Sequence, residues 1–353
     1  MQEQEPVQLP RGPVFVDVQG CVLNEEERRR LRHPLVGGVI LFARNFRDGE
    51  TLAALTAEIR ALRSPALLIA VDHEGGRVQR FRDQGFTRLP AMRTLGRRWE
   101  EDAMAGLEAA RATGLVLAAE LLAHGVDLSF TPVLDLDYGG SRVVGDRAFH
   151  REPAAVAALA MALVSGMREA GMGCVGKHFP GHGFAEADSH VEIPVDERDF
   201  AAVWEEDIAP YRHRLGGLLS GVMPAHVIYP NIDPYPAGFS AFWLGDVLRG
   251  RLGFQGVIFS DDLTMEGATV AGDIVARASA AFDAGCDMVL VCNRPDLADE
   301  LLARWSPVVP EATRARIASL AGTARFGDAL ELELSPVCHQ AREQVRALVS
   351  GDV

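Results

Sequence analysis

Eight short apolar segments alternate with amphipathic stretches along this 353-residue sequence, and the alternation predicts an α/β protein with a parallel sheet. Polar residues follow the carboxyl ends of most apolar segments, as at the mouths of (β/α)8 TIM-type barrels. The Gly-rich phosphate turns of open, doubly wound sheets do not occur in the sequence. We therefore expect a single barrel domain over residues 1–353, with the barrel at about 12–308 and extra C-terminal helices at about 310–353.

The predicted strands are short runs rich in aliphatic and β-branched side chains. In chain order they are 14–18, 38–42, 67–71, 126–131, 174–177, 218–223, 256–260 and 288–292. The amphipathic stretches between them predict the helices that connect parallel strands. These stretches are 25–32, 52–62, 100–124, 153–170, 200–215, 241–249 and 274–284, and the tail from about Pro310 onward also has a helical composition.

The chain carries a formal net charge of −14 and has a pI near 5.2. Because nucleic acids and anionic membranes bind clustered Lys and Arg, this charge argues against both as partners. The N-terminus lacks the basic start and apolar centre of a secretion signal, and we expect no later apolar run to be long enough to span a bilayer. We expect a cytoplasmic monomer.

The five cysteines are an odd number and contain no Cys-x-x-Cys pair. This pattern favours reduced thiols in the core over disulfides or a zinc site. A thiol nucleophile is an alternative with little support in the sequence. The cysteines are Cys21, Cys174, Cys286, Cys292 and Cys338.

The stretch from residue 174 to 192 concentrates ionisable side chains between residues that break helices. Pro180, Gly181 and Gly183 forbid a regular helix, so the polar groups are expected on a loop, where functional residues are often found. Catalytic zinc sites commonly place His-x-x-x-His on an unbroken helix, and we therefore expect no metal and no cofactor. The side chains that a metal would use here are His178, His182, Asp188, His190 and Glu192.

Two carboxylates and one imidazole are candidates for the chemistry. Asp188 and His190 are one residue apart, so in an extended loop they point the same way, and the carboxylate would make the imidazole an effective proton donor and acceptor. The alternative is that this Asp-x-His pair only forms a turn and has no catalytic role. Asp261 ends an apolar strand, where it would be able to attack an electrophilic carbon. Its alternative role is a helix N-cap, for which Asp262 is better placed.

Lys177 and His178 follow the fifth apolar strand, and strand alternation predicts that one side chain points into the barrel and the other toward the sheet-helix layer or the mouth. The sequence leaves three roles open for Lys177. It donates hydrogen bonds to a polyhydroxylated ligand, pairs with a barrel carboxylate, or forms a Schiff base.

Several blocks of sequence carry a family resemblance. One block reads Lys177-His178-Phe179-Pro180-Gly181-His182-Gly183 and is followed by Asp188-Ser189-His190. This block resembles the signature of the NagZ-type β-N-acetylglucosaminidases of glycoside hydrolase family 3. Further blocks at 71–80, 145–149, 223–226 and 259–267 are similar to family blocks and occur in the family order. The resemblance covers about 14–291, which is most of the chain.

The resemblance implies a role for each residue that matches a family motif. It implies that Asp261 is the nucleophile and that His190 is the acid/base, with Asp188 as its partner. The implied sugar-binding residues are Asp72, Arg80, Arg147, Lys177 and His178. We add His226, which follows the sixth strand at the same mouth.

The activity that the resemblance implies is a retaining exo-β-N-acetylglucosaminidase with a covalent glycosyl-aspartate intermediate. Its expected substrates are muropeptides of peptidoglycan recycling, GlcNAc-1,6-anhydro-MurNAc with or without peptide. A β-glucosidase and a β-N-acetylglucosaminide phosphorylase on the same scaffold are the nearest alternatives, since a histidine does not repel phosphate. A Schiff-base lyase at Lys177 and a non-catalytic sugar-binding protein are more distant ones.

Overall fold

The computed structural model describes residues 6–187 and 192–350, and within these residues eight parallel strands close into a barrel. Each strand pairs with its neighbours in chain order, and the last pairs with the first. The strands are β1 (Val14–Asp17), β2 (Val36–Leu41), β3 (Leu68–Val71), β4 (Leu128–Ser129), β5 (Gly173–Phe179), β6 (Gly221–Pro224), β7 (Val257–Asp262) and β8 (Met288–Val291). The predicted fold class is confirmed, and every predicted strand overlaps an observed one.

Three phenylalanine rings fill the middle of the barrel, and two glycines leave room for them. Phe15 of β1, Phe130 after β4 and Phe259 of β7 are buried and meet edge to face, with the closest ring centroids 5.3 Å apart. A Cβ atom on Gly38 would lie 2.3 Å from the ring of Phe15, and one on Gly221 would lie 2.7 Å from the ring of Phe259. This apolar layer lies directly below the mouth of the barrel.

The helices surround the barrel, and about half of them begin after a residue whose side chain caps the first turn. In the first helix, the side chain of Asn24 accepts a hydrogen bond from the amide of Glu27, and the Glu27 carboxylate accepts one from the amide of Asn24. The helices are α1 (Glu25–Leu31), α2 (Gly49–Ala61), α3 (Met92–Glu101), α4 (Ala103–Ala123), α5 (Pro153–Ala170), α6 (Phe200–Glu205), α7 (His213–Gly216), α8 (Ile274–Ala284), α9 (Pro295–Arg304), α10 (Glu311–Ala318), α11 (Ala329–Glu333) and α12 (Pro336–Ser350).

Two predicted helical stretches differ from the observed ones. The stretch 200–215 is divided into α6, the 3-10 turn Ala209–Tyr211 and α7, because the ring of Pro210 clashes in an α-helix with the carbonyl of Glu206, four residues earlier. The stretch 241–249 is helical, but it winds as a π-helix over Phe242–Arg251. Helices α3 and α9 are absent from the sequence prediction.

Helix α5 is long and apolar enough to cross a membrane, by length and composition only, and half of it is buried in the fold. The expectation that the sequence contains no such run is therefore wrong. The apolar composition has a second explanation here, because α5 packs closely against α4. A Cβ atom on Gly114 would lie 2.0 Å from the carbonyl oxygen of Leu163, and one on Gly166 would lie 2.0 Å from that of Arg111.

Helix α10 closes the end of the barrel opposite the mouth, and α11 and α12 pack against α4. Ile317 of α10 is buried among the side chains of the barrel interior. Asp287, directly before β8, accepts a hydrogen bond of 2.6 Å from Arg316. Further along the tail, Arg342 of α12 forms a buried ion pair with Glu120 of α4 at 2.8 Å. Buried charges as well as apolar contacts therefore join the tail to the barrel.

Candidate active site

A cavity of about 390 Å³ opens at the carboxyl ends of the barrel strands. Apolar side chains form one part of its lining, among them Ile40, Phe130, Met223 and Leu290. Asn293 and a set of charged and imidazole side chains form the remainder, and the latter are Asp72, Glu74, Arg77, Arg80, Arg142, Arg147, Lys177, His178, His182, Asp261 and Asp262. A concave site with both kinds of lining suits a small polar ligand that also has an apolar face.

A network of charged side chains, with the buried Glu74 and Lys177 at its centre, forms one side of the cavity. The Glu74 carboxylate, only 1% exposed, accepts two hydrogen bonds of 2.7 Å from Nε and Nη2 of Arg147. Nζ of Lys177 lies 2.7 Å from Glu74 Oε1 and donates a hydrogen bond of 2.7 Å to Asp72 Oδ1. Arg80 approaches the other oxygen of Asp72 at 3.7 Å. The network therefore fixes the directions of Arg147 and Lys177, which both face the cavity.

The electrostatics of this network keep Glu74 and Lys177 charged. Burial alone would raise the pKa of Glu74, but the charges of Arg147 and Lys177 outweigh it and hold that pKa far below the ordinary value. Burial lowers the pKa of Lys177, and Asp72 and Glu74 more than offset this, so that the pKa is raised. Lys177 is therefore a protonated hydrogen-bond donor, which argues against the Schiff-base interpretation, since a lysine nucleophile needs a depressed pKa.

A buried aspartate orients the histidine next to Lys177. Oδ2 of Asp135 lies 2.7 Å from Nδ1 of His178, and Oδ1 accepts hydrogen bonds from the backbone amides of His178 (3.2 Å) and His182 (2.7 Å). Burial raises the pKa of Asp135, but the two imidazoles outweigh burial and lower it. The carboxylate therefore holds the proton of the His178 ring on Nδ1, and Nε2 is left for a ligand. Both Lys177 and His178 line the cavity, so of the two directions open to the second side chain, the sheet-helix layer and the mouth, the structure has the mouth.

Strand β7 ends with Asp261, which lines the cavity, and Asp262, whose backbone amide binds the Asp261 carboxylate. Asp262 accepts hydrogen bonds from the amide of Thr264 (3.0 Å), from its hydroxyl (2.8 Å) and from the amide of Cys292 (3.2 Å). No helix begins at Asp262 in the described chain, so its predicted role as a helix N-cap is wrong, and its carboxylate instead binds a turn and the residue after β8. Burial raises the pKa of Asp262 to about 7. The amide of Asp262 in turn donates to Asp261 Oδ1 at 2.8 Å.

His226 lies behind this strand end and outside the set of residues that line the cavity. It is fully buried against Phe239, and its Nε2 is 3.3 Å from the carbonyl oxygen of Asp262. Burial lowers the pKa of His226. His226 therefore lies behind Asp261 and Asp262. A residue that binds a sugar directly would lie at the cavity surface, so this position does not support the predicted sugar contact of His226.

The cavity gathers six of the nine residues that the sequence analysis assigned to the site, namely Asp72, Arg80, Arg147, Lys177, His178 and Asp261. Asp188 and His190 lie outside the described residues. Glu74 and Asp135 are site residues that no sequence motif predicted, although each follows a predicted strand. Among residues 6–187 and 192–350, His, Cys, Asp and Glu form no group of three that could hold a metal ion, and the expected absence of a metal stays a prediction.

A barrel with a strand-end carboxylate facing a cavity lined by hydrogen-bond donors is typical of glycoside hydrolases. The family model described as "Glycosyl hydrolase family 3 N terminal domain" matches residues 9–311. A beta-hexosaminidase from Aromatoleum aromaticum is 74% identical over 340 residues, which are 96% of this chain and 96% of that protein. The chain belongs to glycosyl hydrolase family 3, and the predicted enzyme class is confirmed.

Solved structures agree with this assignment over nearly the whole chain. Native NagZ from Neisseria gonorrhoeae has a TM-score of 0.92 and 51% sequence identity, covering 98% of this chain and 99% of that one. The same protein in complex with N-trifluoroacetyl-D-glucosamine has a TM-score of 0.92 and 51% identity, covering 97% and 99%. This neighbour therefore binds an amino-sugar derivative.

Proposed function

We propose that the chain is a retaining exo-β-N-acetylglucosaminidase with Asp261 as its nucleophile. The observation that carries the proposal is the position of Asp261, which lines a cavity shared with the hydrogen-bond donors Lys177, Arg147 and His178. A sugar whose hydroxyl or acetamide oxygens bind these donors would present its anomeric carbon to the carboxylate. The names of the related proteins, beta-hexosaminidase and NagZ, support an amino sugar as the substrate.

The chemistry proceeds in two displacements. In the first, an oxygen of Asp261 forms a bond to the anomeric carbon while the glycosidic C–O bond breaks and His190 gives its proton to the departing oxygen. In the second, His190 takes a proton from water, the water oxygen bonds to the anomeric carbon, and the Asp261 ester breaks. Two displacements at one carbon restore its configuration, and a histidine takes the place of the second carboxylate that most retaining glycosidases use.

The shape of the cavity supports removal of one terminal sugar. Its volume of about 390 Å³ lies near the small end of the range of ligand pockets, about 300–1,000 Å³. The buried rings of Phe15, Phe130 and Phe259 close it from below, so a glycan cannot pass through the barrel. A sugar at the end of a chain fits this geometry better than a sugar in the middle of one.

The proposed substrates are muropeptides, GlcNAc-1,6-anhydro-MurNAc with or without peptide, in peptidoglycan recycling. Their part beyond the scissile bond carries carboxylates. Arg142, which is exposed at the cavity and forms no ion pair in the described part of the chain, supports an anionic group there. The cytoplasmic location and the monomeric state expected from the sequence stay predictions.

The experiment that tests the proposal compares 4-nitrophenyl β-N-acetylglucosaminide with the β-glucoside, in buffers with and without phosphate. Proton NMR of the first-formed product reports both its configuration and whether it is a sugar phosphate. We expect hydrolysis of the N-acetylglucosaminide to β-GlcNAc in both buffers. Turnover of the glucoside alone would replace the substrate by glucose, and a glycosyl phosphate would make the enzyme a phosphorylase.

A further inference from the structure

Two arms of chain flank residues 188–191, and both reach one cluster of side chains beside the barrel mouth. The first arm, which ends at residue 187, contains Phe184, and the second arm, which starts at residue 192, contains Asp196 and Arg198. We call Tyr138, Phe184, Asp196, Arg198 and Asp207 the arm cluster. Its members are distinct from the side chains that line the cavity.

Arg198 is the centre of the arm cluster. Its Nη2 donates to Asp196 Oδ2 at 2.6 Å and lies 2.8 Å from Asp207 Oδ2, and its Nη1 donates to the hydroxyl of Tyr138 at 2.7 Å. Both carboxylates are buried, and the Arg198 side chain is only 14% exposed. The planar guanidinium fork therefore connects three separate segments of the chain in fixed directions.

The face of the same guanidinium holds the first arm. Its central carbon lies 4.0 Å from the centroid of the Phe184 ring, and the Tyr138 ring meets Phe184 edge to face at 5.2 Å. The Phe184 side chain is otherwise part of the exposed surface. Contact with Arg198 and Tyr138 is thus what fixes an exposed ring close to the start of residues 188–191.

The backbone of each arm is fastened near the same place. In the second arm, the amide of Asp196 donates to the carbonyl of Ile228 at 2.9 Å. In the first arm, the carbonyl of Gly181 accepts a hydrogen bond from the hydroxyl of Tyr229. A Cβ atom on Gly181 would lie 2.5 Å from Asp207 Oδ1, so only glycine lets the carboxylate come this close. Both arms leave the barrel next to Ile228–Tyr229.

We propose that Arg198 is a positioning residue that holds the two arms together and so sets where Asp188 and His190 are delivered to the glycosidic oxygen. This inference rests on the proposed function, in which His190 is the acid/base. Arg198 acts through the loop and need not touch the substrate. Its removal weakens proton transfer and spares the attack by Asp261.

The test uses two substrates that differ in their need for an acid. The phenolate of a phenyl glycoside must be protonated as it leaves, whereas 2,4-dinitrophenolate leaves without help. For Arg198→Ala we expect kcat/KM on phenyl β-N-acetylglucosaminide to fall roughly 10- to 100-fold, and kcat/KM on the 2,4-dinitrophenyl glycoside to change by less than about twofold. His190→Ala serves as the reference for complete loss of the acid and should show the same selectivity.

The matched control is Arg251→Ala, which removes another guanidinium stacked on a phenylalanine. Arg251 lies 4.8 Å from the ring centroid of Phe200, on the outside of the barrel. We expect it to leave both kinetic constants unchanged. Hydrogen exchange of peptides covering 181–199 should become faster in Arg198→Ala and stay unchanged in Arg251→Ala.

The outcomes separate the inference from the proposed function. An equal loss on both substrates by Arg198→Ala, or unchanged exchange over 181–199, would overturn the positioning role, even if His190→Ala shows the leaving-group effect. If His190→Ala lacks that effect, the acid/base assignment is wrong and the catalytic part of the inference falls with it. In that case hydrogen exchange still decides whether Arg198 holds the arms.

Discussion

Glu74 and Arg147 form a two-pronged ion pair, with both N···O distances 2.7 Å, although 73 residues separate them in the chain. Lys177 shares the same carboxylate at 2.7 Å. One buried anion therefore pairs with two cations that face the cavity. Removing it would leave Arg147 without this partner and Lys177 with Asp72 alone, so this pair links the stability of the barrel to the binding of a sugar.

The first prediction concerns this carboxylate. Glu74→Gln removes the charge and keeps the shape, and we expect it to lower the free energy of unfolding by about 3–5 kcal/mol, as for loss of one partner of a buried pair. Chemical denaturation at pH 7 measures the change. The matched control is Glu169→Gln, which breaks an exposed pair with Arg111 and should cost about 1 kcal/mol or less.

The pH dependence of this effect has a definite sign. The pKa of Glu74 in the folded protein lies below its ordinary value of 4.5, so the carboxylate contributes stability above that pH and loses it as the pH falls. The difference in unfolding free energy between wild type and Glu74→Gln should be largest at pH 7 and shrink below about pH 4.5. A difference that grows towards low pH would contradict the ion-pair account.

A second prediction concerns the orientation of His178. In Asp135→Asn an amide N–H can face Nδ1 of His178, which reverses the tautomer and removes the buried charge. We expect kcat/KM on 4-nitrophenyl β-N-acetylglucosaminide to fall about 10²-fold through misplaced binding groups. Asp137→Asn is the matched control, because that carboxylate accepts from the amide of Gly139 and lies outside the cavity lining. Equal effects of the two substitutions would remove the special role of Asp135.

A third prediction concerns Arg142 and the anionic part of a muropeptide. For Arg142→Ala we expect kcat/KM to fall roughly fivefold on GlcNAc-1,6-anhydro-MurNAc, equivalent to ~1 kcal/mol for an exposed ion pair. The same variant should retain normal kcat/KM on the 4-nitrophenyl glycoside, whose leaving group carries no carboxylate. Arg88→Ala, an exposed arginine paired with Asp83 away from the cavity, controls for loss of surface charge. Equal losses on both substrates would place Arg142 in sugar binding instead.

A fourth prediction concerns the aromatic layer under the cavity. Phe259→Ala should lower the free energy of unfolding by about 3–5 kcal/mol, because the ring is fully buried between Phe15 and Phe130. Tyr235→Ala truncates an aromatic side chain that is 61% exposed, and it should change stability by less than about 0.5 kcal/mol. Comparable losses in the two variants would show that the layer is not the core of the barrel.

The sequence predicted the strands well because a buried parallel strand has a local signature, a short apolar run with a polar residue at its end. That rule placed Asp72, Lys177 and Asp261 at one mouth before their distances were known. The same local reasoning failed where the outcome depends on distant partners. Nothing in the residues around Glu74 indicates that Arg147 and Lys177 share it, since the contact depends on how the segments after β3 and β4 bring Glu74 and Arg147 to Lys177 of β5.

The helices likewise include some features that local sequence predicts and others that it does not. Helix α5 was predicted with its exact bounds because its apolar composition and its first residue, Pro153, are local signals. The π-helix at Phe242–Arg251 has a hydrogen-bonding pattern that apolar periodicity does not reveal. His226 follows a strand as the other site residues do, yet its side chain is buried against Phe239 and does not line the cavity. Strand position alone did not distinguish a side chain that faces the cavity from one that lies behind the strand end.

The central claim is that Asp261 forms a covalent bond with the sugar. The most direct measurement is mass spectrometry of the protein quenched during turnover of 2,4-dinitrophenyl β-N-acetylglucosaminide, followed by peptide mapping. We expect an added mass of one N-acetylglucosaminyl residue on the peptide that contains Asp261, and no adduct in Asp261→Asn. An adduct on another residue, or an inverted product with no adduct, would contradict the account.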